Sequence, residues 1–132
     1  ELYIEKKGLT VELDVADDLC WFFDLDLIGN LLNDIFINAM RYSKNLIKIS
    51  AAIKNDHLEI SIEDNGSGYP QSMLELIDMP MQDLNLTTGR TGLGLFFARM
   101  IANAHKNNKK VGRIELSNGG IYKGSIFKLM LP

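Results

Sequence analysis

Apolar positions recur along the chain with two different periods. From Leu9 to Asp14 they alternate with polar ones, which predicts a strand entered through Gly8. Cys20-Trp21-Phe22-Phe23 is a short, β-prone apolar run. The period then becomes helical. Leu27, Ile28, Leu31, Leu32, Ile35, Phe36, Ala39 and Met40 recur at three and four and form one wide apolar face, with Asp24 or Asp26 placed to cap it. Residues 45–54 and 58–64 return to a strand pattern around Asn55-Asp56-His57. Pro70 suits a first helical position, and Met73, Leu74, Leu76 and Ile77 continue a short helix that Pro80 ends. Residues 79–92 have no clear period and read as a long loop of the kind that carries function. A further helix is predicted from about Leu93 to His105, then a polar connection at Lys106–Lys110. Arg113–Ser117 and Ser125–Leu131 complete the pattern as strands. This order predicts an α+β fold, a two-layer α/β sandwich whose mixed, mostly antiparallel sheet carries helices on one face.

One position breaks the pattern. Leu58, Ile60 and Ile62 face one way and Glu59, Ser61 and Glu63 the other, so Asp64 falls where the register calls for a hydrophobe. A carboxylate on a buried face costs several kcal/mol unless something donates hydrogen bonds to it. Asn65-Gly66-Ser67-Gly68 follows at once. Asn-Gly fits a tight hairpin turn, but Tyr69-Pro70-Gln71-Ser72-Met73 supplies no second strand. The other reading is an acceptor at the base of a pocket, waiting for an N–H donor from a ligand.

Composition narrows the classes. The 132 residues suffice for one domain with its own core. A hydrophobic content of 46% and a charged content of 23% are ordinary for a soluble globular chain. A net charge of −3 supplies no field that would draw a nucleic-acid backbone. The lone Cys20 excludes an internal disulfide and is expected as a small buried hydrophobe. No apolar run reaches the roughly 18 residues of a membrane span. The chain begins at Glu1 rather than Met, which leads one to expect a piece of a longer protein.

Two further constellations carry candidate chemistry. On the first long helix Asn30, Asp34 and Asn38 stand four apart on one face, followed by Arg41 and Tyr42. A solvated face explains such a row. So does a magnesium site, since oxygen ligands suit that ion and it fills its shell with water and phosphate. Where the long loop enters the last helix, the chain reads Thr88-Gly89-Arg90-Thr91-Gly92-Leu93-Gly94-Leu95. A helix N-terminus attracts phosphate, glycines let its oxygens reach the N–H groups, and Arg90 adds a fork of donors. A simple hinge is the alternative. The spacing is neither a P-loop nor the dinucleotide fingerprint. His57 is expected to be exposed in a turn, and His105 to set a cation against a helix C-terminus.

Asn38-Ala39-Met40-Arg41-Tyr42-Ser43, Asp64-Asn65-Gly66-Ser67-Gly68 and Gly92-Leu93-Gly94-Leu95, in this order and spacing, resemble the ATP-binding domain of sensor histidine kinases. That family belongs with gyrase, the heat-shock chaperone ATPases and the mismatch-repair ATPases. The resemblance runs from about Lys6 to Leu131-Pro132 and takes in Gly124-Ser125-Ile126-Phe127. It implies a Bergerat-type ATP-binding fold with ATP and Mg2+ as cofactors. Asp64 would accept the adenine amino group, and Gly66 and Gly68 would let the backbone pass close to the base. Asn38 would hold the magnesium, Arg41 would contact phosphate and Tyr42 would pack near the nucleotide. Residues 79–91, with Arg90, would form a lid, Thr91, Gly92, Leu93 and Gly94 would cradle the triphosphate, and Ser125 would assist at the adenine. Three departures stand out. Asp34 replaces the asparagine usual in histidine kinases, where gyrase-like relatives carry a glutamate general base; as the expected catalytic residue of the ATP site it would orient and deprotonate the incoming imidazole or water. Met79-Pro80-Met81 stands in place of a phenylalanine-rich lid segment. Lys106-Asn107-Asn108-Lys109-Lys110 replaces two glycines, as a solvated turn or as a contact for an acidic partner.

The expected activity is transfer of the γ-phosphoryl of Mg-ATP to a histidine on a separate dimerisation and phosphoacceptor domain, which this chain lacks. The alternatives are a serine kinase of the anti-sigma-factor type or an ATPase, motivated by Asp34, and a nucleotide-sensing or partner-binding module without transfer activity, motivated by the altered lid and the basic Lys106–Lys110 segment. The expected partners are that phosphoacceptor domain and a response regulator, with no nucleic acid and no membrane contact by this domain. The isolated domain is expected to be a monomer, the full protein a homodimer. The expected location is cytoplasmic, as a soluble kinase or as the inner part of a membrane-anchored sensor.

Overall fold

In the computed structural model, residues 8–77 and 92–132 are described. The elements in chain order are β1 (Thr10–Val15), α1 (Leu25–Tyr42), β2 (Leu46–Lys54), β3 (His57–Asp64), α2 (Gln71–Ile77), α3 (Gly92–Ala104), β4 (Lys106–Asn107), β5 (Lys110–Val111), β6 (Arg113–Gly119) and β7 (Gly124–Leu131). Five strands form one sheet in the order β1-β2-β3-β7-β6. Only β1 and β2 run parallel, and α1 is the crossover that parallel pairing requires. The other pairs are antiparallel hairpins or their neighbours. The mixed, mostly antiparallel sheet with helices on one face is the architecture expected.

The core forms where two periods meet. Ile28, Leu31, Ile35 and Ala39, spaced three and four apart, are the buried stripe of α1. They pack on a sheet face made by every second residue, among them Ile47, Ile60, Ile62, Phe127 and Leu129. The stripe is narrower than the predicted face, since Leu27 is 42% exposed. Asp24 is the cap, and its Oδ1 accepts the Leu27 N–H at 3.1 Å. The opposite sheet face is polar. There Glu59 lies 2.9 Å from the Lys54 ammonium and 3.8 Å from that of Lys128. The Lys54 hydrogen bond, more than any other influence, holds its carboxyl below the usual range.

Three expectations need correction. Residues 20–23 form no strand, and Cys20 is exposed. The segment is extended, so its side chains alternate: Leu19, Trp21 and Phe23 pack on the core while Cys20 and Phe22 point out. Trp21 is also tied by its indole N–H to the Pro132 carbonyl at 3.2 Å. Lys106–Lys110 is exposed throughout, as a solvated turn would be, and takes the form of a small hairpin, β4–β5, turning at Asn108 with φ +58°, where Lys110 reaches Asp56 at 3.3 Å. His57 is half-buried rather than exposed, its Nδ1 3.0 Å from the Asn55 carbonyl. His105 does not act as a cation at the helix end. Its Nδ1 meets the Ile101 carbonyl at 2.8 Å, so Nδ1 carries the proton. Its Nε2 receives the Asp24 N–H at 3.2 Å, so Nε2 is bare. The neutral ring ties the end of α3 to the start of α1.

Asn65 makes no hairpin. Its Oδ1 accepts the N–H groups of Lys44, Asn45 and Leu46, each at 3.1 Å, and its Nδ2 donates to Asn45 Oδ1 at 2.7 Å. One side chain thus holds the α1–β2 connection against the end of β3. Asn65→Ala leaves three N–H groups without their acceptor, two of them at exposed positions where water replaces it. A loss of roughly 1–3 kcal/mol in urea unfolding is expected.

Candidate functional site

β3 turns inward residues toward the helices at every second position, and Asp64 takes the place after Ile62. It is 5% exposed. Three donors meet its carboxylate. Oδ1 accepts the Gly66 N–H at 2.8 Å and the Ser125 N–H at 3.3 Å, while Oδ2 accepts the Ser125 hydroxyl. A carboxylate offers about four lone-pair sites, so one is left over. Asp64 and Ser125 both line a cleft between the helices and the sheet, a space of about 720 Å³ counting the solvent at its mouth. The misplaced acid of the strand pattern is therefore a satisfied, oriented acceptor at a cleft floor.

The chain after Asp64 is shaped by close approach. A Cβ on Gly66 would lie 2.3 Å from the Tyr42 carbonyl oxygen, so only glycine lets this loop rest on the end of α1. Gly68 has φ +88°. Tyr69 follows, and the side chain of Asn118 grips its backbone at both ends: the Tyr69 N–H donates to Oδ1 at 2.7 Å and Nδ2 donates to the Tyr69 carbonyl at 2.9 Å. Asn118 is the β6 partner of Ser125 on β7. Tyr69 lines the cleft. Burial, and secondarily the charge of Asp64, push its phenol above the ordinary range, so it stays protonated.

α1 supplies the opposite wall. Asn38 and Tyr42, one turn apart, line the cleft together with Ile35 and Ala39. Asp34 and Arg41 are exposed, and neither is part of the cleft wall. Gly92 is the first residue of α3, Gly94 lies in its first turn, and Leu95 reaches the cleft. The glycine motif thus opens a helix beside the cleft, as predicted, with Leu93 inside it. Arg90, Thr91 and the proposed lid, with Met79-Pro80-Met81, lie outside the described residues. Tyr69, Asn118 and Met73 of α2 are site features that the sequence reading missed. Asn118 lies one residue beyond the predicted strand Arg113–Ser117, and only the observed register sets it opposite Ser125.

The cleft offers Asn38 as an oxygen donor, and among the described residues no group of three or more His, Cys, Asp or Glu gathers to cage a metal. That donor set fits a magnesium ion held mainly by phosphate and water. It does not fit a structural zinc site.

Comparison with known proteins agrees with this geometry. Residues 23–132 match the family model described as histidine kinase-, DNA gyrase B-, and HSP90-like ATPase. The sensor protein PhoQ of Escherichia coli (strain K12) is 28% identical over 123 residues, 93% of this chain and 25% of that protein. The chain thus spans a quarter of that relative's length. Among solved structures, the Acinetobacter baumannii histidine kinase AdeS superposes with a TM-score of 0.72 at 29% identity, covering 98% of this chain and 56% of that one. Full-length ShkA in complex with AMPPNP shares the fold, with a TM-score of 0.75 at 18% identity over 99% of this chain and 27% of that one. The chain belongs to the histidine kinase-, DNA gyrase B- and HSP90-like ATPases, in the form of the ATP-binding domain of sensor histidine kinases.

Proposed function

We propose that the cleft binds Mg-ATP and presents its γ-phosphoryl to a histidine on a separate dimerisation and phosphoacceptor domain. The observation that carries this reading is Asp64: a buried carboxylate, held by three donors, with one lone pair remaining at a cleft floor. An exocyclic amino group matches that acceptor, and the apolar walls suit a flat heterocycle. Gly66 and Gly68 keep the backbone close to the base. Tyr42 packs near the nucleotide, and Asn38 faces the phosphate end as the magnesium ligand. Arg41, Arg90 and the segment Thr91–Gly94 neutralise and cradle the triphosphate. A bound magnesium ion would supply charge neutralisation on the phosphates. The protein's share is orientation. The bond between the γ-phosphorus and the β–γ bridging oxygen breaks as one to an imidazole nitrogen forms, and ADP leaves.

Asp34 bears on the choice between transfer and hydrolysis. It is exposed one turn before Asn38 and, like Arg41, is not part of the cleft wall among the described residues. The likeness to sensor histidine kinases such as PhoQ supports phosphotransfer over the ATPase and serine-kinase alternatives. The domain then works as part of a longer, homodimeric sensor kinase, in the cytoplasm where ATP is supplied, with a response regulator taking the phosphoryl group onward. Among the described residues no helix is long and apolar enough to cross a membrane.

The test is reconstitution. The chain is incubated with γ-labelled ATP, magnesium and the histidine-bearing dimerisation domain of its full-length protein. Acid-labile label on that domain is the expected result, and Asp34→Asn should leave the yield within about threefold. Label released as free phosphate without any acceptor, and lost in Asp34→Asn, would establish the hydrolase instead. Absence of AMPPNP binding would remove the nucleotide reading altogether.

A further inference from the structure

We propose that Tyr69 is a second base-recognising residue of the cleft, its phenolic O–H donating to the purine ring nitrogen beside the amino group that Asp64 accepts. The proposal rests on reading the cleft as a purine-nucleotide site, and it adds a specificity-determining contact to that site.

Position comes first. Tyr69 lies five residues beyond Asp64, and the two residues line the same cleft. Its backbone is fixed unusually well for a loop residue, since Asn118 bonds both its N–H and its carbonyl, at 2.7 and 2.9 Å. The preceding Gly68, at φ +88°, packs so tightly on Asn118 that a Cβ would lie 2.8 Å from Oδ1. Asn118 pairs across the strands with Ser125, and Ser125 orients Asp64 through its N–H and its hydroxyl. One cross-strand pair therefore sets the acceptor and the phenol relative to each other. A loop backbone held in this way adds little further entropic cost on binding.

Chemistry comes second. Among the described residues the hydrogen bonds that hold Tyr69 are those of its backbone. A half-buried phenol at the cleft wall has an apolar body and a polar tip that a ligand acceptor can engage. Its charge state suits donation, being protonated throughout the physiological range. A 6-aminopurine offers the matching pair: an N–H donor for the single remaining lone pair of Asp64, and an adjacent ring nitrogen, N1 or N7, as acceptor for the phenol. A 6-oxopurine places a carbonyl oxygen against the carboxylate. A site that hydrogen-bonds its ligand on two sides discriminates more sharply than an apolar slot, because the wrong ligand leaves buried groups unpaired.

The experiment is isothermal titration of the chain with AMPPNP and with ATP analogues carrying carbon in place of N1 or N7. Tyr69→Phe removes only the hydroxyl, and a thermal melt checks that the variant is folded. Expected are a roughly 3- to 15-fold weaker AMPPNP affinity in Tyr69→Phe and a similar loss for wild type with one of the two deaza analogues. Tyr69→Phe should be indifferent to that same replacement. Asn118→Ala, which frees the loop but keeps the phenol, should narrow the wild-type difference between the analogues. The proposal is overturned if Tyr69→Phe binds AMPPNP within twofold of wild type, or if its loss is the same with every analogue. Failure of wild type to bind AMPPNP at all would instead strike the nucleotide reading.

Discussion

Asp64→Asn is expected to weaken AMPPNP binding by about 100-fold or more while the domain remains folded. The argument is one of donors and acceptors. In the wild type, Oδ1 receives two backbone N–H groups and Oδ2 receives the Ser125 hydroxyl. Asparagine can keep the first pair on its own Oδ1, and its Nδ2 can donate to the Ser125 oxygen, which turns from donor to acceptor. Each internal group therefore stays paired, and the melting temperature should fall by only a few degrees. Toward the cleft, however, the variant presents an N–H where the wild type presents a lone pair, and that N–H faces the amino group of the base. A charge-assisted bond worth about 1.5–3 kcal/mol is lost and a donor–donor contact replaces it. Asp64→Ala is the less informative change. It strips the Gly66 and Ser125 donors of their acceptor and so mixes a folding defect with the binding defect. Titration of the folded Asp64→Asn domain with AMPPNP separates the two, and near-wild-type affinity there would refute adenine recognition by Asp64.

The legible parts of the molecule were those set by local period. Asp64 betrayed itself because three alternating aliphatics fixed the inward face of β3 before it, and burial then follows from pleat geometry alone. The stripe Ile28, Leu31, Ile35, Ala39 was readable for the same reason on a helix. Contacts between distant segments were not. Asn118 and Tyr69 are 49 positions apart and meet only because the sheet order brings β6 and the post-β3 loop to one end. Cys20 was misread from its neighbours' hydrophobicity, when an extended segment sends alternate residues outward. His105 was read from its helix end alone, and it was the amide N–H of Asp24, 81 positions earlier, that fixed its tautomer. The cleft wall followed the same divide: helical spacing set Asn38 and Tyr42 in a polar row whose nucleotide roles only the family resemblance suggested, whereas the grip of Asn118 on the Tyr69 backbone depends on tertiary pairing.

Phe127→Ala is the change expected to cost the fold most, roughly 3–5 kcal/mol, or a fall of about 10–20 °C in Tm. Phe127 is fully buried, with no exposed surface, at the centre of β7, paired with Ile62 on one side and Leu116 on the other. Truncation leaves a cavity between sheet and helices that neighbours on two strands cannot fill without breaking register. Phe22→Ala removes the same ring from a position that is 98% exposed, and a change within about 0.5 kcal/mol is expected there. Thermal denaturation of the two variants side by side decides the matter, and equal shifts would show that the sheet face described is not the core. The same strand links stability to the site, because Ser125 stands two residues before Phe127 and shares its inward face. A nucleotide that binds only the folded state should restore about 2.7 kcal/mol to Phe127→Ala at a concentration a hundred times its Kd. That rescue should vanish when Asp64→Asn is combined with it, since the ligand then has no acceptor to engage. Recovery by AMPPNP in the double variant would mean that the nucleotide is held somewhere other than over Asp64.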